Sequence, residues 1–262
     1  MTEDTSSQGR PRASAREVFG ERAAYYVTST AHTDAQVLGR LVDLSGLSPD
    51  MSVLDIGTGT GHTALALAPH AGTVIGLDPT PEMLAEAEAL RRERGYGNVS
   101  WMLGDVADLP WAANSFHVVA CRRAAHHFLD IERALGEMCR VLRRGGRLMI
   151  DDRTVPNDPD LDVLLNQLDW LHDHSHVRDY SADEWRALCE RAGLHVERVE
   201  GYTRHRHLSS LTEGVSTEDV AEIRRLLAAL SPEQEGQLGL ERRADGLWFD
   251  HYYLILSARR IS

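Results

Sequence analysis

The run VLDIGTGTG (residues 53–61) sets Gly57, Gly59 and Gly61 at alternate positions directly after a short apolar segment. Glycine is needed where a backbone turns through positive φ, and where a ligand must come up against main-chain N–H groups, so the turn reads as a ligand cradle. The frame Gly59-x-Gly61-x-x-Ala64 also satisfies the dinucleotide fingerprint. Asp78 ends the next apolar segment and suits a pair of ribose hydroxyls, which nicotinamide and adenosylmethionine ligands both carry. Two features separate those ligands. A nicotinamide register leaves Asp55 without a role, whereas an acid within D-x-G-x-G-x-G can face the ammonium end of a methionine moiety. Gly104-Asp105, followed by Leu109-Pro110, stands after a third apolar segment, where a carboxylate can accept a hydrogen bond from an adenine amino group.

His126 and His127 follow a fourth apolar segment, at the edge where α/β sheets bind their ligands. Imidazole titrates near neutrality and suits general-base work. One of the pair is expected to face a pocket and the other to be structural; the residue types do not say which. His172-x-His174-x-His176 would share one face if extended, as metal ligands do. The spacing matches no standard zinc pattern, so a polar loop is the favoured reading and no metal site is assigned. Arg122, Arg123, Arg153 and Arg178 either hold an anionic substrate together or are separate solvated charges.

All 28 basic residues are arginine, which excludes a phosphate-loop lysine, a Schiff-base lysine and a Ser–Lys dyad. Forty acidic residues give a net charge of −12, so neither nucleic acid nor an anionic membrane is an expected partner. Cys121, Cys139 and Cys189 are odd in number and widely spaced, which argues against a disulfide framework. The first residues lack the apolar region of a secretory signal, and no stretch approaches the roughly 20 apolar residues of a membrane span. A cytoplasmic protein is expected.

The elements that must position these groups follow from periodicity. Residues 1–14 read as a disordered tail, 15–27 as a helix, and 34–44 as a helix capped by Asp34. Strands at 51–56, 73–78, 98–103, 116–121 and 147–152 alternate with helices at 62–70, 80–94 and 130–143, the signature of a parallel sheet covered on both faces. The alternation breaks at 153–180, where Leu161, Leu164, Leu165 and Leu168 mark a helix. It resumes with a helix at 182–192 and a strand at 194–202. It breaks again at 203–246, with a helix near 217–230, before a last strand at 247–257. The reading is one domain over 15–262, with an N-terminal lid at 15–33 and cap insertions at 153–180 and 203–246.

In this order and spacing, VLDIGTGTG, Asp78, GDVADLP (104–110), SFHVV (115–119) and RVLRRGGRLMI (140–150) make the chain resemble the class I S-adenosylmethionine-dependent methyltransferases. Tyr26, Ser29 and His32 at intervals of three, CRRAAHHF (121–128) and SHVRDYSADEW (175–185) resemble most the ubiquinone/menaquinone-biosynthesis C-methyltransferase branch. The similarity spans roughly residues 18–200; nothing in 203–246 matches. His117 stands where that pattern usually has an acid.

The resemblance implies a Rossmann-like seven-stranded sheet, mostly parallel, with the last strand antiparallel and helices on both faces. It also implies methyl transfer from S-adenosyl-L-methionine to a small-molecule acceptor, at carbon before oxygen. Gly57, Gly59 and Gly61 would approach the cofactor, Asp78 the ribose, and Asp105 with Val106 the adenine. Arg122 would lie near the methionine carboxylate, with Pro79, Met83 and Gly104 also in contact. Tyr26 and His32 would reach in from the lid, and His176 and Arg178 from the cap toward the acceptor. The alternatives are a nicotinamide-dependent oxidoreductase and a cofactor-binding protein without turnover.

Overall fold

The computed structural model describes residues 13–28 and 33–261. Ser29, His32 and most of the expected tail lie outside the described residues. Five short strands follow the apolar runs: β1 (Ser52–Ile56), β2 (Thr73–Asp78), β3 (Val99–Leu103), β4 (Phe116–Arg122) and β5 (Leu142–Arg153). Three more follow: β6 (Leu194–His207), β7 (Glu241–Arg243) and β8 (Gly246–Arg260). The main sheet runs β3-β2-β1-β4-β5-β8-β6. Its first five strands are parallel, and β8 is antiparallel to both β5 and β6.

The helices are α1 (Ala15–Thr28), α2 (Ala35–Ser45), α3 (His62–Leu67), α4 (Pro81–Arg94), α5 (Ile131–Val141), α6 (Pro159–His172) and α7 (Ala182–Arg191). Short α8 (Ser209–Thr212), α9 (Thr217–Ala228) and α10 (Pro232–Gln237) follow β6. Among the described residues, no helix is long and apolar enough to cross a membrane.

Strand alternation explains the two apolar layers. Val53 packs on one face of the sheet with Leu41, Leu65 and Val74. Its neighbour Leu54 packs on the other with Leu135, Met138 and Trp185. Both strand residues are fully buried, which is why β1 reads as a continuous apolar run rather than an alternating one. Asp34 caps α2 as expected, its Oδ1 accepting from the Gln36 and Val37 N–H groups, and left-handed Gly46 ends the helix.

His117 fills the acid's place by holding two strands together. Its Nδ1 accepts from the Ser52 N–H at 3.0 Å, so the ring ties the start of β1 to β4.

Three expectations change. The sheet gains an eighth strand, because β7 folds back on β8 as a tight hairpin through Gly246 (φ 138°). β6 and β8 run further than expected, pairing from Leu194↔Arg260 to His207↔Trp248. Their outer ends look like loop in sequence because they carry charge, but cross-strand partners hold them, as His205 Nδ1 does Asp250 at 2.9 Å. The segment between β6 and β7 therefore begins after His207, not at 203.

That second segment also covers something other than a pocket. Ile223 and Leu227 of α9, with Leu211 and Leu238, pack on Leu161, Leu164 and Leu168 of α6 and on Phe249 of β8. The leucine stripe of α6 is thus a third small core. Replacing Ile223, which is fully buried, by alanine should cost about 2–5 kcal/mol in chemical denaturation. Ligand affinity of the folded variant should be unchanged. A loss of affinity at full folding would mean that this segment does reach the cavity described next.

Candidate active site

A cavity of about 580 Å³ opens where β1, β2 and β4 end and α1 crosses above them. This is the switch point of the strand order, where the connection from β1 leaves to one side and the connection into β4 arrives from the other. Gly57, Gly59 and Gly61 line or flank it with φ of 62°, 53° and 83°, a region that strongly favours glycine. A Cβ on Gly57 would lie 2.4 Å from the Ala124 side chain, and one on Gly61 would lie 2.6 Å from the Trp101 ring. A Cβ on Gly59 would meet no protein atom within 4 Å, so that glycine keeps open the space the cavity occupies. The loop fits a ligand laid against its backbone.

Asp55 does not stand on the cavity wall. Its Oδ2 accepts from the Thr58 hydroxyl at 2.6 Å and from the Ala64 N–H at 3.1 Å, which turns the carboxylate back beneath the loop. Burial raises its pKa to about 7, and Oδ1 has no hydrogen-bond partner among the described residues. Asp78 does reach the wall. Its Oδ2 accepts from the Gly59 N–H at 2.8 Å and its Oδ1 from the Thr80 N–H at 2.9 Å, so strand β2 and the glycine loop are tied through one carboxylate. Burial pushes this carboxyl upward too. Pro79 and Met83 continue the wall into α4, and Gly104, Asp105 and Val106 close it after β3. Asp105 accepts from the Ala107 N–H at 2.8 Å.

The four arginines do not converge. Arg122 and Arg123 stand on the wall, each beside Asp151. Arg122 Nε donates to Thr63 Oγ1 at 2.8 Å. Arg123 takes φ 55°, a strained value for a side-chain-bearing residue, and lays its guanidinium 3.7 Å over the Tyr253 ring. Arg153 pairs with Asp169 and Asp179. Arg178, expected at the acceptor, instead pairs with Asp162 and Glu184 away from the cavity wall. Each cation already has a carboxylate, so a joint anion clamp is not formed.

The histidine pair is divided by a 3₁₀ turn, Ala125–His127, that points the two rings to different partners. His126 Nδ1 lies 2.5 Å from Asp152 Oδ1, and burial drives its pKa far below the usual imidazole value. Its ring is partly buried and does not line the cavity. His127 is on the cavity wall, with Nδ1 3.2 Å from the Ser175 carbonyl oxygen and the Phe19 ring edge-on at 4.9 Å. His176 is buried off the wall, bonded through Nε2 to Asn166 Oδ1 at 3.1 Å, and burial lowers it to about 4.

The run 172–176 is a helix end and a turn, so its three histidines do not share a face. His172 bonds the Leu211 carbonyl and His174 approaches Asp219 at 3.3 Å. Among the described residues, no group of three or more side chains is placed to hold a metal.

The wall residues that escaped the sequence reading include Phe19, His62, Thr63 and Ser175. His62 Nε2 donates to the Tyr26 carbonyl at 3.3 Å, linking the glycine loop's helix to α1. Its position directly after Gly61 was the available signal. Tyr26 stands on the wall, and its ring lies 5.5 Å from that of Phe19.

Burial of Asp55 and Asp169, both raised to about 7, predicts an acid-side gain in stability. The folded state keeps these protons to about pH 7, while the unfolded chain loses them near pH 4. Their contribution therefore falls as pH rises from about 4 to about 7 and is constant above. In Asp55→Asn, the downward slope of unfolding free energy across that window should become shallower, by at most about 1.4 kcal/mol per pH unit. An unchanged slope in denaturant titrations would place the proton elsewhere.

A family model described as a methyltransferase domain matches residues 47–194. The chain is 39% identical over 170 residues to the uncharacterized methyltransferase YcgJ of Bacillus subtilis, covering 65% of this chain and 67% of that one. The YcgJ crystal structure superposes with a TM-score of 0.83 at 31% identity, over 87% of this chain and 99% of that one. The crystal structure of a protein of Bacillus halodurans C-125 described as a putative methyltransferase also gives 0.83, at 28% identity, over 87% of this chain and all of that one. A demethylmenaquinone methyltransferase of Thermus thermophilus is 39% identical over 113 residues, covering 42% of this chain and about half (51%) of its own length. With the glycine turn, the strand-end carboxylate and the antiparallel last strand in place, the chain belongs to the class I S-adenosylmethionine-dependent methyltransferases.

Proposed function

We propose that this protein methylates a small-molecule acceptor, at carbon in preference to oxygen, and that His127 removes the acceptor's proton. One observation carries the reading: His127 shares a single cavity with the glycine loop, Asp78 and Asp105. When bound, S-adenosyl-L-methionine supplies a methyl group already activated on sulfonium, so the protein's work is alignment, exclusion of water and control of one proton. Gly57 and Gly59 give the cofactor backbone to lie against. Asp78 retains free lone pairs beyond its two N–H bonds and would accept from the ribose hydroxyls. Asp105 would accept from the adenine amino group, and Arg122 would face the methionine carboxylate. Tyr26 and Phe19, on α1, shield the acceptor side from water.

The carbon preference rests on the likeness to the ubiquinone/menaquinone biosynthesis C-methyltransferase of Bdellovibrio bacteriovorus, 36% identical over 129 residues and matched over 54% of its length. Family membership sets aside the nicotinamide alternative. A cytoplasmic location belongs to the same proposal; the three cysteines are free and buried.

The test is transfer of labelled methyl from the cofactor to a panel of phenols, enolisable ketones and carboxylic acids. His127→Ala should lose about 10²–10⁴-fold in kcat while keeping its affinity for the demethylated cofactor. Less than a tenfold loss would remove the base. No labelled product from any acceptor, with cofactor bound tightly, would favour a binding protein without turnover. In calorimetry, Asp78→Ala should weaken the demethylated cofactor by about 1.5–3 kcal/mol, the range for hydrogen bonds to a charged group. Equal affinity in variant and parent would mean that the ribose lies elsewhere.

A further inference from the structure

We propose that Ser175 and Asp173 are positioning residues that fix which nitrogen of His127 is basic. They hold the proton on Nδ1, present Nε2 to the cavity as the free base, and keep a carboxylate one hydroxyl away from the ring. This rests on the reading of His127 as the acceptor's base.

The direction of each hydrogen bond is set by chemistry. His127 Nδ1 lies 3.2 Å from the Ser175 carbonyl oxygen and 3.1 Å from Ser175 Oγ. A carbonyl only accepts, so Nδ1 must carry the hydrogen. Ser175 Oγ lies 2.7 Å from Asp173 Oδ1, and an ionised carboxylate only accepts, so the hydroxyl hydrogen points to Asp173. That leaves the hydroxyl's lone pairs for Nδ1–H. The chain runs one way, from His127 Nδ1–H to Ser175 Oγ–H to the Asp173 carboxylate. The Ser175 N–H also donates to Asp173 Oδ1 at 2.8 Å, which fixes the carboxylate in the turn. Among the described residues, Nε2 has no hydrogen-bond partner, and the ring stands on the cavity wall.

The turn is pinned at three places. The His176 N–H bonds the Asp173 carbonyl, the Val177 N–H bonds the His126 carbonyl at 2.8 Å, and the Ala13 N–H bonds the His174 carbonyl at 3.2 Å. The end of α6, the histidine turn and the approach to α1 are therefore stitched together around His127. Other charged or titratable groups face the ring. The His126 ring lies 4.1 Å away at a 48° tilt with Asp152 behind it, His176 stands behind His126, and Arg16, Arg122 and Arg123 share the cavity wall. Asp152 is engaged by His126 and by two backbone N–H groups, so Asp173 is the carboxylate joined to His127 itself. Burial alone would raise the Asp173 carboxyl, but His127 and the Ser175 bonds outweigh it and hold it below its usual range. In the step, the acceptor's proton moves to Nε2. Nδ1–H stays on the ring, and Asp173 remains ionised and stabilises the imidazolium without taking a proton.

The experiment is nitrogen–proton correlation NMR of histidine rings in the full chain, with His127→Gln assigning the signal. The neutral ring should show Nδ1 protonated and Nε2 bare. A neutral ring protonated at Nε2 overturns the proposal without any variant having to fold. In Asp173→Asn, the His127 titration midpoint should fall by about one pH unit or more, because the nearby anion is lost. The acid limb of kcat against pH should follow it, with the affinity for the demethylated cofactor retained. Ser175→Ala should move both in the same direction. A midpoint unmoved in folded Asp173→Asn also overturns it. Failure of the base reading looks different: His127→Ala would keep its turnover while the tautomer stayed as described.

Discussion

The turn from β1 into α3 reverses the chain around a single buried carboxylate. Asp55 binds the Thr58 hydroxyl in the glycine loop and the Ala64 N–H in the first turn of α3 from beneath. With the loop held from below, its upper side is free to be ligand surface, and Gly59 leaves that side empty. The cost is a carboxyl in a low-dielectric site, visible in its raised pKa. Asp78 repeats the device from the side, so two carboxylates at the ends of adjacent strands set the loop's height and tilt.

The end of β5 divides the remaining chemistry in the same manner. Asp151 and Asp152 are consecutive, so they point to opposite faces of the sheet. Asp151 gathers Arg122, Arg123 and the Tyr202 hydroxyl. Asp152 takes His126. Both are fully buried, and removing Asp151 would take from two arginines their nearest carboxylate, a change usually worth several kcal/mol. Through His126, Asp152 also sets the turn that brings His127 to the cavity.

The two segments that interrupt the strand–helix alternation have different roles. The first, carrying α6 and the turn after it, sends Ser175 to the cavity and supports His127. The second lays α9 over the outer side of α6 and contributes no residue to the cavity wall among those described. It buries an apolar stripe that would otherwise face water, and so keeps the first in position.

The sequence alone determined whatever depends on neighbours in the chain. The glycine spacing, the strand-end Asp78 and the GDVADLP segment define the cofactor side, and short apolar runs mark the strands, because positive φ and side-chain alternation are local properties. The choice between His126 and His127 was not legible. It depends on Asp152, 26 residues away, and on Ser175, 48 residues away, which only the packing of β5 and the α6 turn brings to the rings. The fate of the arginines was hidden for the same reason. A guanidinium looks alike in sequence whether it faces a ligand or a carboxylate, and Asp162 with Glu184 claimed Arg178 through tertiary contacts. Charged β-strand ends near His205 read as loop, since cross-strand pairing with Asp250 leaves no trace along the chain.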